Sequence, residues 1–177
     1  MNGTDCVCIR NHSKHFKADL DAVVEQNLYV DELKQTPRGT LSLIVLLDQF
    51  SRHIYRKNGK AFSGDSKAQA LSQWSLEKKF DQELEPLERL FVYMPLVHSE
   101  SLELHELSVT KFQELCDSCP KERETYGKGV ESAVDHRTVI SRFGRYPHRN
   151  AVLGRTNTAE EEKYLAEGGS FPWEQTA

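Results

Sequence analysis

A short basic segment near the C-terminus holds the side chains most able to do chemistry. Its four arginines and one histidine are not accompanied by any acidic residue: Arg142, Arg145, His148, Arg149 and Arg155. Guanidinium groups bind carboxylate or phosphate through paired hydrogen bonds, and a helix predicted to start directly afterwards would favour an anion at its N-terminus. The segment, called the basic loop (residues 142–155), therefore predicts an anion site that includes Asn150. The alternative is that its arginines bond backbone carbonyls or acidic groups elsewhere and hold the loop in place.

A second polar group interrupts a helix that is otherwise apolar on most sides. Asp48 and Arg52 are four residues apart and share one helix face, where they continue the line of Leu41 and Ile44. An isolated buried charge is unfavourable, so both groups must be paired or hydrogen-bonded. They are interpreted as an ion pair, or as a carboxylate that caps a neighbouring helix. The functional alternative places them, with Gln49, in the wall of a polar pocket.

Histidines occupy positions on predicted helices that otherwise face the core. His98 and His105 share one such line, and His136 lies in register with the apolar residues that follow it. One such histidine is usually a satisfied core residue, but three, with His148 nearby, favour convergence at a site. Histidine beside Glu100 or Asp48 could act as acid and base near neutral pH or ligate a metal. The candidate catalytic residues are His98, Glu100, His136 and His148.

Known cofactor and metal motifs are missing from the sequence. No HExxH or comparable ligand spacing is present, so a metal site at the histidines is not predicted. The cysteines form two close pairs, Cys6 with Cys8 and Cys116 with Cys119, which could share a zinc ion but are interpreted as reduced thiols. Since no glycine-rich phosphate loop, dinucleotide fingerprint or nucleophile motif occurs, the cofactor is left unassigned.

Helices must position these groups, because start and stop signals for helices recur and strand alternation does not. The strongest start signals are Thr36 followed by Pro37, Asp65 as a cap, and Thr158 three residues before Glu161. Pro95 is predicted to end or kink a helix, and Gly144 to terminate one. The predicted helices cover residues 14–26, 36–55, 65–79, 86–93, 98–115 and 120–143, with a last one from about 158.

Composition limits the class of protein. The 177 residues suffice for one domain, with 38% hydrophobic and 28% charged residues and a net charge of -4. No overall positive field attracts nucleic acid or anionic lipid, and the apolar run Leu41–Leu47 is too short to cross a bilayer. The first residues lack the apolar stretch of a secretory signal. We expect a cytoplasmic protein that has neither nucleic acid nor membrane as a partner.

Three segments carry a resemblance to a known family. They read LSLIVLLDQFSRHIYR, FVYMPLVHSE, and VISRFGRYPHRNAVLGR followed by TAEEEKYL. The chain resembles the domain of unknown function 924 family over roughly residues 15–172, although Ser51 and His53 replace the family's usual proline and asparagine. Residues 1–15 also lack the segment rich in tryptophan and phenylalanine with which family members usually begin.

The resemblance implies an all-α fold, in which tetratricopeptide-like helical hairpins pack as a compact α-α superhelix of about six or seven helices. The expected organisation is a flexible N-terminus (1–14), a single helical domain (15–172) and a C-terminal tail (173–177).

Three functions are compatible with these patterns. In the first, the three segments form one pocket for a small anionic molecule, lined jointly by Asp48, His98 and Arg145, with catalysis possible. In the second, the protein is an interaction module whose groove binds an acidic peptide or C-terminus. In the third, the charged groups are a purely structural network. Substrate, enzymatic activity and oligomeric state are left unassigned.

Overall fold

A computed structural model describes residues 16–169, and every regular element in this range is helical. The prediction of an all-helical protein is confirmed, and the tetratricopeptide-like arrangement stays a prediction. The predicted flexible N-terminus and C-terminal tail lie outside the described residues, as do Cys6 and Cys8. Among the helices of the described part, none combines the length and apolar character that crossing a membrane requires.

The contacts group the chain into two units, which are described separately. Within the described residues, unit 1 holds 16–56 and 60–92, and unit 2 holds 57–59 and 93–169. The expectation of a single domain over 15–172 stays a prediction.

Unit 1 consists of short helices around a core of leucine, valine and isoleucine. Its α-helices are α1 (16–26), α2 (Val30–Leu33), α3 (Pro37–Ile44), α4 (Ser51–Ile54), α5 (Asp65–Glu77) and the first part of α6 (Pro86–Val97). The Thr36 side chain accepts a hydrogen bond from the Gly39 amide and Pro37 occupies the first turn, so the predicted start of α3 is confirmed. A π-helical turn, Val45–Phe50, joins α3 to α4 and was not predicted, nor was α2.

One helix cap and one helix end in this part of the chain differ from prediction, although α5 begins at Asp65 as predicted. Gly64, not Asp65, is the N-cap of α5, because the Asp65 carboxylate accepts two hydrogen bonds from the Arg52 guanidinium instead. Helix α6 continues through Pro95 as far as Val97, and the His98 amide still bonds the Met94 carbonyl. Burial of the last turn of α6 stabilises the helix by more than the loss of the one backbone hydrogen bond that the proline removes.

Unit 2 is dominated by an antiparallel pair of long helices. It contains the end of α6, α7 (Leu102–Ser118), α8 (Arg123–Phe143) and α9 (Ala159–Ala166). Contacts join Glu106 to Arg137 and Cys116 to Arg123, so α7 and α8 run in opposite directions. Gly144 adopts the left-handed conformation and ends α8, as predicted.

The start of α7 corrects the predicted position of His98. Helix α7 begins at Leu102 with Ser101 as its N-cap, whereas the prediction began it near residue 98. His98 therefore follows the last turn of α6 and does not share the core face of α7 with His105. The serine start signal at residue 101 was overlooked in favour of the apolar spacing.

Candidate functional site

Tyr146 is the centre of a buried polar cluster in unit 2. Its side chain is fully buried, and its hydroxyl donates a hydrogen bond of 2.5 Å to the Val97 carbonyl. The guanidinium carbon of Arg149 lies 4.5 Å from the centroid of the tyrosine ring. Three imidazole rings also surround it, with centroid distances of 5.2 Å for His148, 5.9 Å for His136 and 6.1 Å for His105.

Local backbone structure brings these groups inward. After Gly144 ends α8, Tyr146 is extended, which is the conformation that proline imposes on the residue before it. Pro147 then opens a short 3₁₀ turn, Pro147–Arg149, in which the arginine is buried and the neighbouring His148 half-buried. A glycine and a proline thus set the backbone course of the basic loop.

Burial keeps the three histidines around Tyr146 neutral. Burial lowers the pKa of His136 and of His148 to about 3, and it also lowers the pKa of His105. The positive charge of Arg149 acts in the same direction on all three pKa values. An electrostatic interaction with His98 also lowers the pKa values of His105 and His136, so His98 lies within electrostatic range of these two rings.

Hydrogen bonds fix the tautomers of two of these rings. The Nδ1–H of His136 donates to the Ser132 carbonyl at 2.7 Å, and the Nε2–H of His105 donates to the Ser99 carbonyl at 2.8 Å. The remaining ring nitrogen of His105, Nδ1, is a buried acceptor that meets no donor among residues 16–169. With pKa values near 3, His136 and His148 are weak bases at neutral pH and are better suited to hydrogen bonding than to proton abstraction.

Glu100 joins the end of α6 to the basic loop. Its carboxylate accepts two hydrogen bonds from Arg155, of 2.7 and 2.9 Å, and a third from the Tyr146 amide at 2.9 Å. Burial alone would raise the pKa of Glu100, but these hydrogen bonds outweigh it and hold the pKa below its usual value. Glu100 is therefore a carboxylate at neutral pH and is a poor candidate for a general acid. We call these eight residues the Tyr146 cluster: His98, Glu100, His105, His136, Tyr146, His148, Arg149 and Arg155.

The remaining arginines of the basic loop pair with glutamates of α9. Arg142 donates to Glu160 at 2.8 Å, and Arg145 donates to both carboxylate oxygens of Glu161 at 2.7 and 2.8 Å. Glu161 also completes the predicted capping box with Thr158, so it occupies the N-terminal end of α9 where an anion was expected. These pairs join residues 18 and 16 positions apart, so no local spacing rule reveals them.

The hydrogen bonds to Glu161 are reflected in its titration. The hydrogen bonds from Arg145 lower the pKa of Glu161 to about 2. The pKa of Arg145 is raised by the same contact.

Asn150, also predicted as a ligand-binding residue, is buried and donates a hydrogen bond to Asn157 at 2.8 Å. The contacts of Arg142, Arg145 and Asn150 are those expected if the polar side chains of the basic loop hold the loop in place.

The predicted polar group of the central helix lies in unit 1. Asp48 is buried in the π-helical turn and pairs with Arg52 at 3.2 Å, which is the pair that their spacing predicts. Arg52 also binds Asp65, and Gln49 donates to the Asp48 carboxylate at 2.5 Å. A single pocket lined by Asp48, His98 and Arg145 stays a prediction.

Metal-ligand geometry is missing from the part of the chain that the structure describes. No group of three or more histidine, cysteine, aspartate or glutamate side chains within residues 16–169 has the arrangement that would hold a metal ion. Cys116 and Cys119 are buried free thiols at the end of α7.

Comparison with known proteins places the chain in a family. Residues 5–169 match the family described as "Bacterial protein of unknown function (DUF924)". The fold is similar to that of a solved protein of unknown function from Agrobacterium tumefaciens, with 29% identity, a TM-score of 0.71 and coverage of 92% of this chain and 85% of that one. No significant match was found among curated proteins. The chain therefore belongs to the DUF924 family, as its three motifs had indicated.

Proposed function

We propose that unit 2 binds a small anionic molecule at the Tyr146 cluster. The observation that carries this proposal is the gathering of two neutral imidazoles and two guanidinium groups, those of Arg149 and Arg155, around Tyr146. Burial keeps His136 and His148 uncharged, so these rings do not repel the guanidinium charge. In such a partly buried setting, attraction between a cation and an anion is stronger than in water.

The groups at the edge of the cluster are the ones that a ligand would meet first. His98 and His148 are half-buried, as are Arg155 and Glu100, whereas His105, His136 and Arg149 are buried behind them. A carboxylate or phosphate oxygen could therefore take its first hydrogen bonds from His148 and Arg155. The proposal concerns binding, because the low pKa values of His136 and His148 do not favour proton transfer by these two groups near pH 7.

The test uses inorganic phosphate and succinate as probes. Calorimetric titration of the full chain at pH 7 should show saturable binding of one of them. We expect His148→Asn to weaken that binding at least tenfold, as should the double variant Glu100→Gln with Arg155→Met, which removes both members of the ion pair together. Arg137→Met is the matched control, because Arg137 pairs with the exposed Glu106 on the α7–α8 surface.

Two results would overturn the proposal. One is that neither probe binds the unaltered protein, and the other is that both altered proteins bind the probe as tightly as the control does. If, in addition, the altered proteins only lose thermal stability, the cluster is a structural network. This is the alternative that the ion pairs of Arg142 with Glu160 and of Arg145 with Glu161 favour.

The acidic-peptide alternative gains no support from the α7–α8 surface. A groove of about 440 Å³ lies there, and its charged lining residues are Arg123, Glu131 and Asp135. A lining with more acidic than basic groups does not attract an acidic peptide. Peptide binding elsewhere on the protein stays a prediction.

A further inference from the structure

A small cleft in unit 1 lies beside Trp74 and is separate from every residue that the sequence singled out for chemistry. Its volume is about 240 Å³, somewhat below the roughly 300–1,000 Å³ of a site for a drug-sized ligand. Val30, Leu47, Leu71 and Trp74 make most of its wall apolar. Among the described residues that line it, the charged ones are both lysines, Lys34 and Lys67. The cleft therefore combines an apolar wall with positive charge.

Lys67 organises the cleft and does not serve as its anion-binding group. Its ammonium donates to the Val23 carbonyl at 2.9 Å, the Val24 carbonyl at 2.5 Å and the Asn27 side-chain oxygen at 2.6 Å. A lysine has three donors, so all of them are used by the last turn of α1 and the residue after it. Lys67 thereby holds the chain that borders the cleft.

Lys34 is the group that can receive an anion. Its ammonium lies 5.7 Å from the Trp74 ring centroid and pairs with Asp31, whose side chain is 92% exposed. An ion pair with so exposed a partner contributes little, so a ligand carboxylate can replace Asp31 at small cost. The indole itself is fixed, because Trp74 donates from Nε1 to the Lys34 carbonyl at 3.0 Å, and Lys78 lies 4.5 Å from its ring centroid.

The backbone at the mouth of the cleft is strained. Asn27 and Tyr29 both adopt the left-handed conformation, with φ of 55° and 63°. This conformation is unfavourable for a residue as bulky as tyrosine, and such strain is concentrated at ligand sites. It leaves Leu28 and Tyr29 exposed between two residues of the lining, Asn27 and Val30. This backbone observation is independent of the charge and the apolar wall.

We infer that this cleft binds a small monocarboxylic acid with a short hydrocarbon tail. The carboxylate accepts hydrogen bonds from Lys34, and the tail lies against Trp74, Leu47 and Leu71. The apolar wall selects for the tail, and the lysine selects for the charge.

Tryptophan fluorescence tests the inference directly. The chain has two tryptophans, so Trp173→Phe leaves Trp74 as the sole emitter. Titration of this protein at pH 7 with hexanoate should produce a saturable change in Trp74 emission. Acetate lacks the tail and hexan-1-ol lacks the charge, so each should bind at least tenfold more weakly than hexanoate.

Substitutions in the same background separate the two contributions. Lys34→Met should weaken hexanoate binding at least fivefold and leave the response to hexan-1-ol unchanged. Ala70→Met should block both ligands, because Ala70 lines the cleft, whereas Ser66→Met, on the same helix but outside the lining, should bind as the parent does. An absent hexanoate response, equal binding of hexanoate and hexan-1-ol, or an unaffected Ala70→Met protein would overturn the inference.

Discussion

Arg155 donates two hydrogen bonds to the carboxylate of Glu100, which lies 55 residues earlier in the sequence. The same guanidinium also donates to the Tyr146 carbonyl at 3.1 Å, while the Glu100 carboxylate accepts from the Tyr146 amide. One ion pair therefore clamps both backbone polar groups of the residue at the centre of the cluster. The two side chains are only about one-quarter to one-third exposed. Loss of one member of the pair therefore leaves the charge of the other poorly compensated.

The first prediction is that breaking this pair on one side destabilises the protein more than removing both members. Arg155→Met removes the guanidinium from the Glu100 carboxylate and from the Tyr146 carbonyl, and the Tyr146 amide then remains as a donor to Glu100. We expect the free energy of unfolding to fall by about 2–3 kcal/mol. The double variant with Glu100→Gln should recover part of that loss. Urea unfolding monitored by circular dichroism measures both values.

The control for this comparison is Arg137→Met. Arg137 and its partner Glu106 are about one-third and more than half exposed, so losing their pair should change stability by no more than about 1 kcal/mol. Equal losses of unfolding free energy in Arg155→Met and Arg137→Met would show that the Glu100–Arg155 pair stabilises the protein no more than an exposed ion pair does.

The second prediction concerns pH. The pKa of His136 is about 3 in the folded protein and about 6.5 in an unfolded chain, so the unfolded chain binds more protons between these values. The stability contributed by the neutral ring is complete above pH 6.5 and is lost as the pH falls toward 3. At pH 5 the loss for this one histidine is about 2 kcal/mol, and His148 adds a similar effect.

Stability measured at pH 7.5 and pH 5 tests this expectation. His136→Asn should reduce the difference between the two pH values, whereas the exposed His53→Gln should leave it unchanged. Glu161 does not interfere in this range, because its pKa of about 2 makes its contribution fall only below about pH 4.5. An unchanged pH dependence in His136→Asn would contradict the neutral, buried state of this ring.

Features that depend on neighbours in sequence could be predicted, and those that depend on distant partners could not. Thr36 before Pro37, Gly144 and the Thr158–Glu161 box are local signals, and the structure contains all three. The pairing of Arg155 with Glu100 joins distant segments, and no spacing rule reveals it.

Competition between local signals and tertiary contacts explains the wrong cap of α5 and the wrong end of α6. Asp65 has the chemistry of a helix cap, but Arg52 offers its carboxylate two charge-assisted hydrogen bonds. Pro95 has the chemistry of a helix breaker, but buried residues around it keep α6 helical. For the candidate site, apolar periodicity predicted that His105 and His136 would be buried; the centre of their cluster, Tyr146, was not predicted.

The third prediction concerns the capping box of α9. Thr158 accepts a hydrogen bond from the Glu161 amide, and the Glu161 carboxylate accepts one from the Thr158 amide. Thr158→Ala removes one of these bonds and should lower the free energy of unfolding by about 1 kcal/mol. Thr158→Ser retains the oxygen and should change it by much less, so similar losses in the two proteins would argue against the cap.

The fourth prediction is that two glycine-to-alanine changes in α8 have opposite signs. A Cβ at Gly129 would lie 2.9 Å from the Phe112 ring, which is buried, so Gly129→Ala forces either the ring or the two helices to shift. Overpacking of this kind costs about 1–3 kcal/mol, more than the roughly 1 kcal/mol gained in helix propensity. A Cβ at Gly127 meets nothing within 4 Å, so Gly127→Ala should keep the full gain. Thermal unfolding of the two proteins measures the difference, and a stabilised Gly129→Ala would mean that the helices do not pack as closely as Phe112 indicates.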